Sequence, residues 1–327
     1  MWTAATGGLV WFFYGFDWNQ FLEHLRGLDW KWVAPAVFFD VFSYVCQAAR
    51  WNYVLKPLGP PTLYRSTQAI YIGLLTNEVV PLRGGEIIRT WLVSRWAGLR
   101  FSVVLCSVGV ERLLDGIWLA VFLGLSAFAV DLPPLIKHSA WVLAVVVLAG
   151  AALIVVVLAT GLRVTHALER TRAGQRGPLA WLLHFLDHLF EGLQAIGHSA
   201  SLYWALAASL ALLVAQILAV WAMMFSYNLE FTFWQASVVL LILHLGTVLP
   251  NAPANIGSFQ VFCVLALRLF GVEENVAKGF TLVLFMIITG PLVIFGLLAL
   301  FQSGLTVRDL RHQVRQRFNS GRADDPA

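Results

Sequence analysis

The stretch "TNEVVPLRGGEIIR", Thr76 to Arg89, sets two glutamates, two arginines, a proline and a glycine pair inside a chain that is 59% hydrophobic. The apolar region around it, from Ser66 to Trp96, is cut at "VVPLRGGE", and each half is too short to cross a bilayer core of roughly 30 Å. That pattern predicts a re-entrant helical hairpin over about 66–96, entering and leaving on one membrane face. Irregular backbone at membrane depth is tolerated only where protein or a water-filled cavity surrounds it. A second region, Phe233 to Phe270, is cut in the same way at "TVLPNAPANIGS", which predicts a second hairpin over about 233–270.

Uninterrupted runs fill the rest. Trp32 to Tyr53, Val103 to Val130, Trp141 to Leu162, Leu202 to Tyr227 and Gly279 to Phe301 each hold enough apolar residues to span. The opening "MWTAATGGLVWFFYGF" has no positive n-region and no clear cleavage site, so it reads as a retained segment, either a short span or the end of a longer one. With 14 Trp, 23 Phe and only 12% charged residues, the expected fold is all-α: a polytopic membrane protein with about six full transmembrane helices plus two re-entrant hairpins inserted from opposite faces. One transmembrane domain is expected over 1–303, with a basic cytoplasmic tail over 304–327. Cys46, Cys106 and Cys263 lie in apolar runs without ligand spacing, so neither a disulfide framework nor a metal site is indicated.

Charge orients the chain. With the tail "RDLRHQVRQR" in the cytoplasm, six spans and two hairpins put Lys56, Arg65, Arg95, Arg100, Arg163, Arg170, Arg172 and Arg176 on the same side. The opposite side keeps Arg26, Lys31 and Lys137, with Arg268 and Lys278 as further candidates, as the positive-inside rule asks. Both termini are then cytoplasmic, in a cell inner membrane, and the hairpins enter from opposite faces. The net charge of +4 follows from this bias, so no nucleic-acid partner is inferred.

Two broken segments from opposite faces mark an inverted repeat, in which the binding site lies near the midplane. After Pro81 come Gly84, Gly85 and a helix opening with Glu86; after Pro253 come Asn255, Gly257, Ser258 and a helix through Phe262. Proline stops each incoming half-helix, and small or capping residues start the outgoing one with its N–H groups free, which favours an anion. Two ordinary hairpins with polar surface loops are the plainer alternative.

Glu78, Arg83, Glu86 and Arg89 flank the first break, and the next span carries Glu111, Arg112 and Asp115 in "VERLLDG". An unpaired charge near the bilayer centre costs at least about 2.5 to 3.5 kcal/mol, so these seven must face one another or water. A salt-bridge network fixing hairpin to span is one reading. In the other, Arg83, Arg89 and Arg112 hold a phosphate and the acids orient them or carry a proton.

"NEVVPLRGGEIIRTWLV" at Asn77 to Val93, then "VERLLD" and "PANIGSFQ", resembles the lysylphosphatidylglycerol synthase transmembrane, or flippase-like, family. Its best-known member is the membrane half of the multiple peptide resistance factor. The resemblance extends from "ARW" at Ala49 to Trp51 to the last span. By position, Asn77, Pro81, Arg83, Gly85, Glu86, Arg89, Glu111, Arg112, Asp115, Pro253 and Gly257 match the family's polar core. The family's second motif commonly has a pair of glycines where Ala254 and Asn255 stand and a glutamate where Gln260 stands, which puts a proton-coupling role for that hairpin in doubt. With so short a stretch after Phe301, no soluble aminoacyl-transfer domain is expected, and synthesis of a lysyl-lipid is not expected either. The resemblance implies movement of an anionic or polyprenyl-phosphate-linked lipid between leaflets.

The expected partner is therefore a membrane lipid with a phosphate headgroup, self-association into a homodimer is left open, and no cofactor, metal or catalytic residue is assigned. Alternatives are a membrane transferase acting on a lipid phosphate, with Glu86 or Glu111 as base, and a non-catalytic scaffold of an envelope lipid pathway. Pro178 to Ile196 reads as an amphipathic cytoplasmic helix, with His184 and His188 on its solvated face. Asp40 and His244 are expected as hydrogen-bonded interior residues, with a relay as the alternative, and Arg50 with Trp51 as an interfacial anchor, with lipid-headgroup contact as the alternative.

Overall fold

The computed structural model describes residues 2–79, 84–134, 137–138, 141–142, 144–145, 147–149, 200–248 and 253–304. The described residues are helical, with no strand among them. Pro81 and Arg83, the greater part of the expected span Trp141 to Leu162, the expected amphipathic helix at 178–196 and the tail from 305 onward lie outside the described residues.

Ten helices carry the architecture among the described residues. They are α1 (Trp2–Phe13), α2 (Trp18–Arg26), α3 (Trp30–Leu55), α4 (Leu63–Val79), α5 (Gly85–Ala97), α6 (Phe101–Ala129), α7 (Ala200–Ser226), α8 (Phe233–Val248), α9 (Ser258–Arg268) and α10 (Glu274–Ser303). Four of them, α3, α6, α7 and α10, are long and apolar enough to cross a membrane. Two of these have locally capped starts. Asp29 accepts from the Lys31 N–H before α3, and Glu273 accepts from the N–H groups of Asn275 and Val276 before α10. Exposed Phe38, Phe42, Phe128, Ile294, Leu297 and Phe301 lie on these helices, where lipid contact accounts for apolar exposure that water would not favour.

Contacts at the helix ends fix the topology. At one end, Tyr64 Oη donates to Gln302 Oε1 at 2.6 Å, Arg65 lies over the Trp96 ring at 5.1 Å, and Tyr53 stacks with Trp204 at 6.3 Å. These contacts gather the ends of α3, α5 and α10 with the starts of α4 and α7. At the other end, the Asp29 N–H donates to the Ser226 carbonyl at 3.1 Å, Tyr227 meets Phe280 at 5.4 Å, and Phe122 meets Trp234 at 6.2 Å. That end holds the start of α3, the end of α7 and the starts of α8 and α10. The α4–α5 hairpin therefore opens from the first end and the α8–α9 hairpin from the second, as two opposed re-entrant hairpins require. At about 1.5 Å per residue, α4, α5, α8 and α9 run roughly 26, 20, 24 and 16 Å, so none spans alone.

The hairpin tips meet, because the turn Pro253–Asn255 packs on α4. Within the first hairpin, α4 and α5 approach closely at Gly73 and Gly85, where a Cβ on Gly85 would run into the Gly73 carbonyl. The N-terminal apolar run forms α1, only 12 residues or about 18 Å long, with Gly8 against the backbone of Gly257 at the second tip. Gly15 at φ +65 then breaks the helix, and Asp17 caps the separate amphipathic helix α2. α1 therefore ends at the turn made by Gly15 and Asp17.

Candidate functional site

The polar residues of α3 come at helical spacing: Asp40, Tyr44, Gln47 and Arg50 fall on one face, and all four line a cavity of about 400 Å³. The cavity lies where the two hairpin tips meet. Asn77, Glu78 and Glu86 enter from the first hairpin, His244, Thr247, Ala254 and Asn255 from the second, and Arg112 and Asp115 from α6. Leu212, Leu240, Phe259, Phe285 and Ile288 complete an apolar wall.

Beside the cavity runs an ionic chain, enclosed at Glu111 and Arg89 and open at Arg112. Glu111 on α6 is fully buried between two arginines, with Arg50 Nη2 3.1 Å from Oε1 and Arg89 Nη2 3.0 Å from Oε2. Arg89 also stacks over the Trp51 ring at 4.8 Å, and Trp51 Nε1 donates to Ser107 Oγ at 2.8 Å. Arg50 continues to Asp115 and donates to Ser209 Oγ at 3.4 Å. Asp115 in turn holds Arg112 at 3.2 Å, and Arg112 reaches Glu86 at 2.8 Å. Three arginines and three acids thus alternate in one chain from α5 through α6 to α3. An unpaired member would cost several kcal/mol in this setting, which is why the charges come in balanced sets.

The half-helices that leave each tip start differently. At α5, the Gly85 N–H donates to Asn77 Oδ1 at 2.9 Å, an amide offered by the incoming helix α4. At α9, the buried Gln260 side chain accepts from the Gly257 N–H at 2.7 Å. The turn before α9 is left-handed: Ala254 has φ 59, Asn255 φ 52 and Gly257 φ 90. Two non-glycine residues therefore hold a conformation that glycine adopts without penalty.

The residues singled out in the sequence divide into three sets. Asn77, Glu78, Glu86, Arg112, Asp115 and Asn255 share the cavity. Arg89 and Glu111 sit behind it, and Gly84, Gly85, Gly257 and Gln260 are buried backbone and capping positions. Ser258 is the first residue of α9 and is not among the lining residues. Of the arginines expected to face a phosphate, Arg112 is half exposed beside the cavity, Arg89 is enclosed, and Arg83 lies outside the described residues.

Arg50 and Asp40 carry more of the site than their sequence context suggested. Arg50 is not an interfacial anchor: it is 1% exposed and bridges two acids. The signal that could have found it is the stripe from Asp40 through Tyr44 and Gln47. Asp40 differs from the hydrogen-bonded interior residue expected, because its Oδ2 is buried with no hydrogen-bond partner among the described residues. Four carboxylates, those of Asp40, Glu78, Glu86 and Asp115, line the cavity with two guanidiniums, and neither Asp40 nor Glu78 has an ion pair among the described residues.

The comparisons with known proteins agree with this architecture. The family described as "Lysylphosphatidylglycerol synthase TM region" matches residues 3–296. The "UPF0104 membrane protein MJ1595" of Methanocaldococcus jannaschii is 21% identical over 281 residues, which cover 81% of this chain and 82% of that protein. No solved structure matches. A match over nearly the whole chain, on a multi-pass helical membrane protein whose broken segments form opposed hairpins, assigns it: the chain belongs to the lysylphosphatidylglycerol synthase transmembrane region family.

Proposed function

We propose that this protein moves a lipid with an anionic phosphate headgroup between the leaflets of the inner membrane, with both of its termini in the cytoplasm. The observation that carries the reading is the cavity between the hairpin tips, into which Arg112 projects half exposed beside an apolar wall. The guanidinium supplies a planar, permanently charged fork for phosphate oxygens. The apolar wall suits the part of the lipid next to the headgroup, and the positive ends of α5 and α9 both lie at this level. The family's description, which names a synthase of an aminoacylated phospholipid, supports a lipid as the cargo. We read the chain as a translocator rather than a transferase, because Glu86 and Glu111, the acids that could serve as base, are each held by arginine.

The test is leaflet transfer of a fluorescent phosphatidylglycerol in proteoliposomes. The native protein is expected to speed transfer, and Arg112→Ala to slow it by about tenfold or more, the loss of one charge-assisted hydrogen bond of roughly 1.5 kcal/mol. Unchanged rates in the variant, no transfer by either protein, or a lipid of altered mass after incubation would each remove the proposal.

A further inference from the structure

Asp40 is 5% exposed, lines the cavity from the middle of α3, and has a buried oxygen without a hydrogen-bond partner among the described residues. No cation among the described residues reaches it. With no cation beside it, the balance between its ionised and neutral forms is left to burial and to the charge that enters the cavity. The charged and titratable groups around it are few. Tyr44 and Arg50 follow on its own helix, Tyr71 and Glu78 stand on α4, Glu86 on α5, Arg112 and Asp115 on α6, and His244 on α8. α7 and α10 bring only uncharged residues to the cavity, among them Gln216 and Thr289. Tyr44 and Tyr71 pack ring against ring at 5.3 Å, and the hydroxyl of Tyr71 is buried without a partner among the described residues.

Carboxylates outnumber guanidiniums at this cavity, so a phosphate entering beside Arg112 adds negative charge to a site that already has an excess of it. Like charge favours the neutral form of a neighbouring carboxyl. We infer that Asp40 is a proton-binding site coupled to the lipid: it takes one proton from cavity water as each anionic headgroup enters and returns it to water when the headgroup leaves. The carboxylate becomes a carboxylic acid, the proton's charge cancels that of a monoanionic phosphate, and the loaded cavity has the same net charge as the empty one. Linkage makes the effect reciprocal, so lipid tightens proton binding and a proton tightens lipid binding by the same factor. Protonation increases as pH falls, so affinity for an anionic lipid rises on acidification and is lost as pH rises.

This inference rests on the lipid-transfer reading, and the two are separated by experiment. Binding of a short-chain phosphatidylglycerol to the full chain in detergent is measured across pH, for the native protein and for Asp40→Asn, which fixes the neutral form. The native Kd should fall by up to about tenfold per pH unit on acidification, while the variant binds tightly at every pH. In proteoliposomes, a gradient of one pH unit should drive the labelled lipid to an excess approaching about tenfold in one leaflet with the native protein, and to none with Asp40→Asn, which still equilibrates the lipid. If Asp40→Asn does not fold, the native protein still decides: a pH-sensitive dye should report about one proton taken up per lipid bound. Lipid transfer that ignores the pH gradient, a sodium gradient that replaces it, a variant that responds like the native protein, or zero proton uptake overturns the proton site and leaves the translocator reading standing. No transfer and no binding under any condition removes the translocator reading itself.

Discussion

The two hairpins share a shape and differ in chemistry. Each brings in a helix that stops short of spanning, turns at mid-depth and sends out a second half-helix whose first N–H is held by a side-chain amide. The first hairpin ties itself to the rest of the molecule with charge, through Glu86 to Arg112 and Arg89 to Glu111. The second brings no carboxylate, lysine or arginine to the cavity and contributes His244, Thr247 and Asn255, a left-handed turn and a buried capping amide. Opposed geometry therefore does not carry opposed chemistry with it. The first hairpin supplies electrostatics, the second supplies shape, and the cavity needs both.

That contrast can be broken from the charged side first. Glu111→Gln leaves Arg50 and Arg89 facing each other without their shared acid, and should cost about 3 to 5 kcal/mol, read as a large fall in thermal stability and in yield from the membrane. Gly85→Ala should act on the same hairpin by a different route. Its Cβ meets the Gly73 backbone, so α4 and α5 must separate, at a cost of about 1 to 3 kcal/mol in a thermal melt.

On the second hairpin the expected effects are smaller. Gln260→Ala removes the cap on Gly257 and should cost about 1 kcal/mol in a thermal melt. An unchanged melt in Gln260→Ala would show that the cap adds nothing to the hairpin. Least of all, Ala254→Gly removes a left-handed alanine and should change stability by no more than about 1 kcal/mol, toward greater stability. A clear destabilisation there would contradict the backbone conformation assigned to this turn.

The hairpins were legible in the sequence because a proline and small residues that interrupt an apolar run must be shielded from lipid, and a re-entrant turn enclosed by protein does that. The opposed insertion was legible through charge bias: Arg65 lies at one end of the molecule, over Trp96, and Arg268 and Lys278 at the other, where Glu274 pairs with both. The roles of single charges were not legible. Arg50 next to Trp51 looks like a membrane-interface pair, and only the packing of α3 against α6 and α7 buries it. Asp40 looks like one more interior polar residue, because the absence of a partner is a property of three dimensions. Gln260 stands where a related pattern has an acid, and its work as a cap emerges only once the Gly257 N–H is placed.

The claim that the headgroup passes between the hairpin tips can be tested without altering any charge. In a chain whose Cys46, Cys106 and Cys263 are replaced by alanine, Thr289→Cys puts a thiol on the cavity wall, and Leu297→Cys puts one on the exposed face of the same helix. A bulky thiol reagent should stop leaflet transfer of labelled phosphatidylglycerol in the first and leave the second at its untreated rate. Transfer that continues undiminished with Thr289→Cys fully labelled would contradict the account.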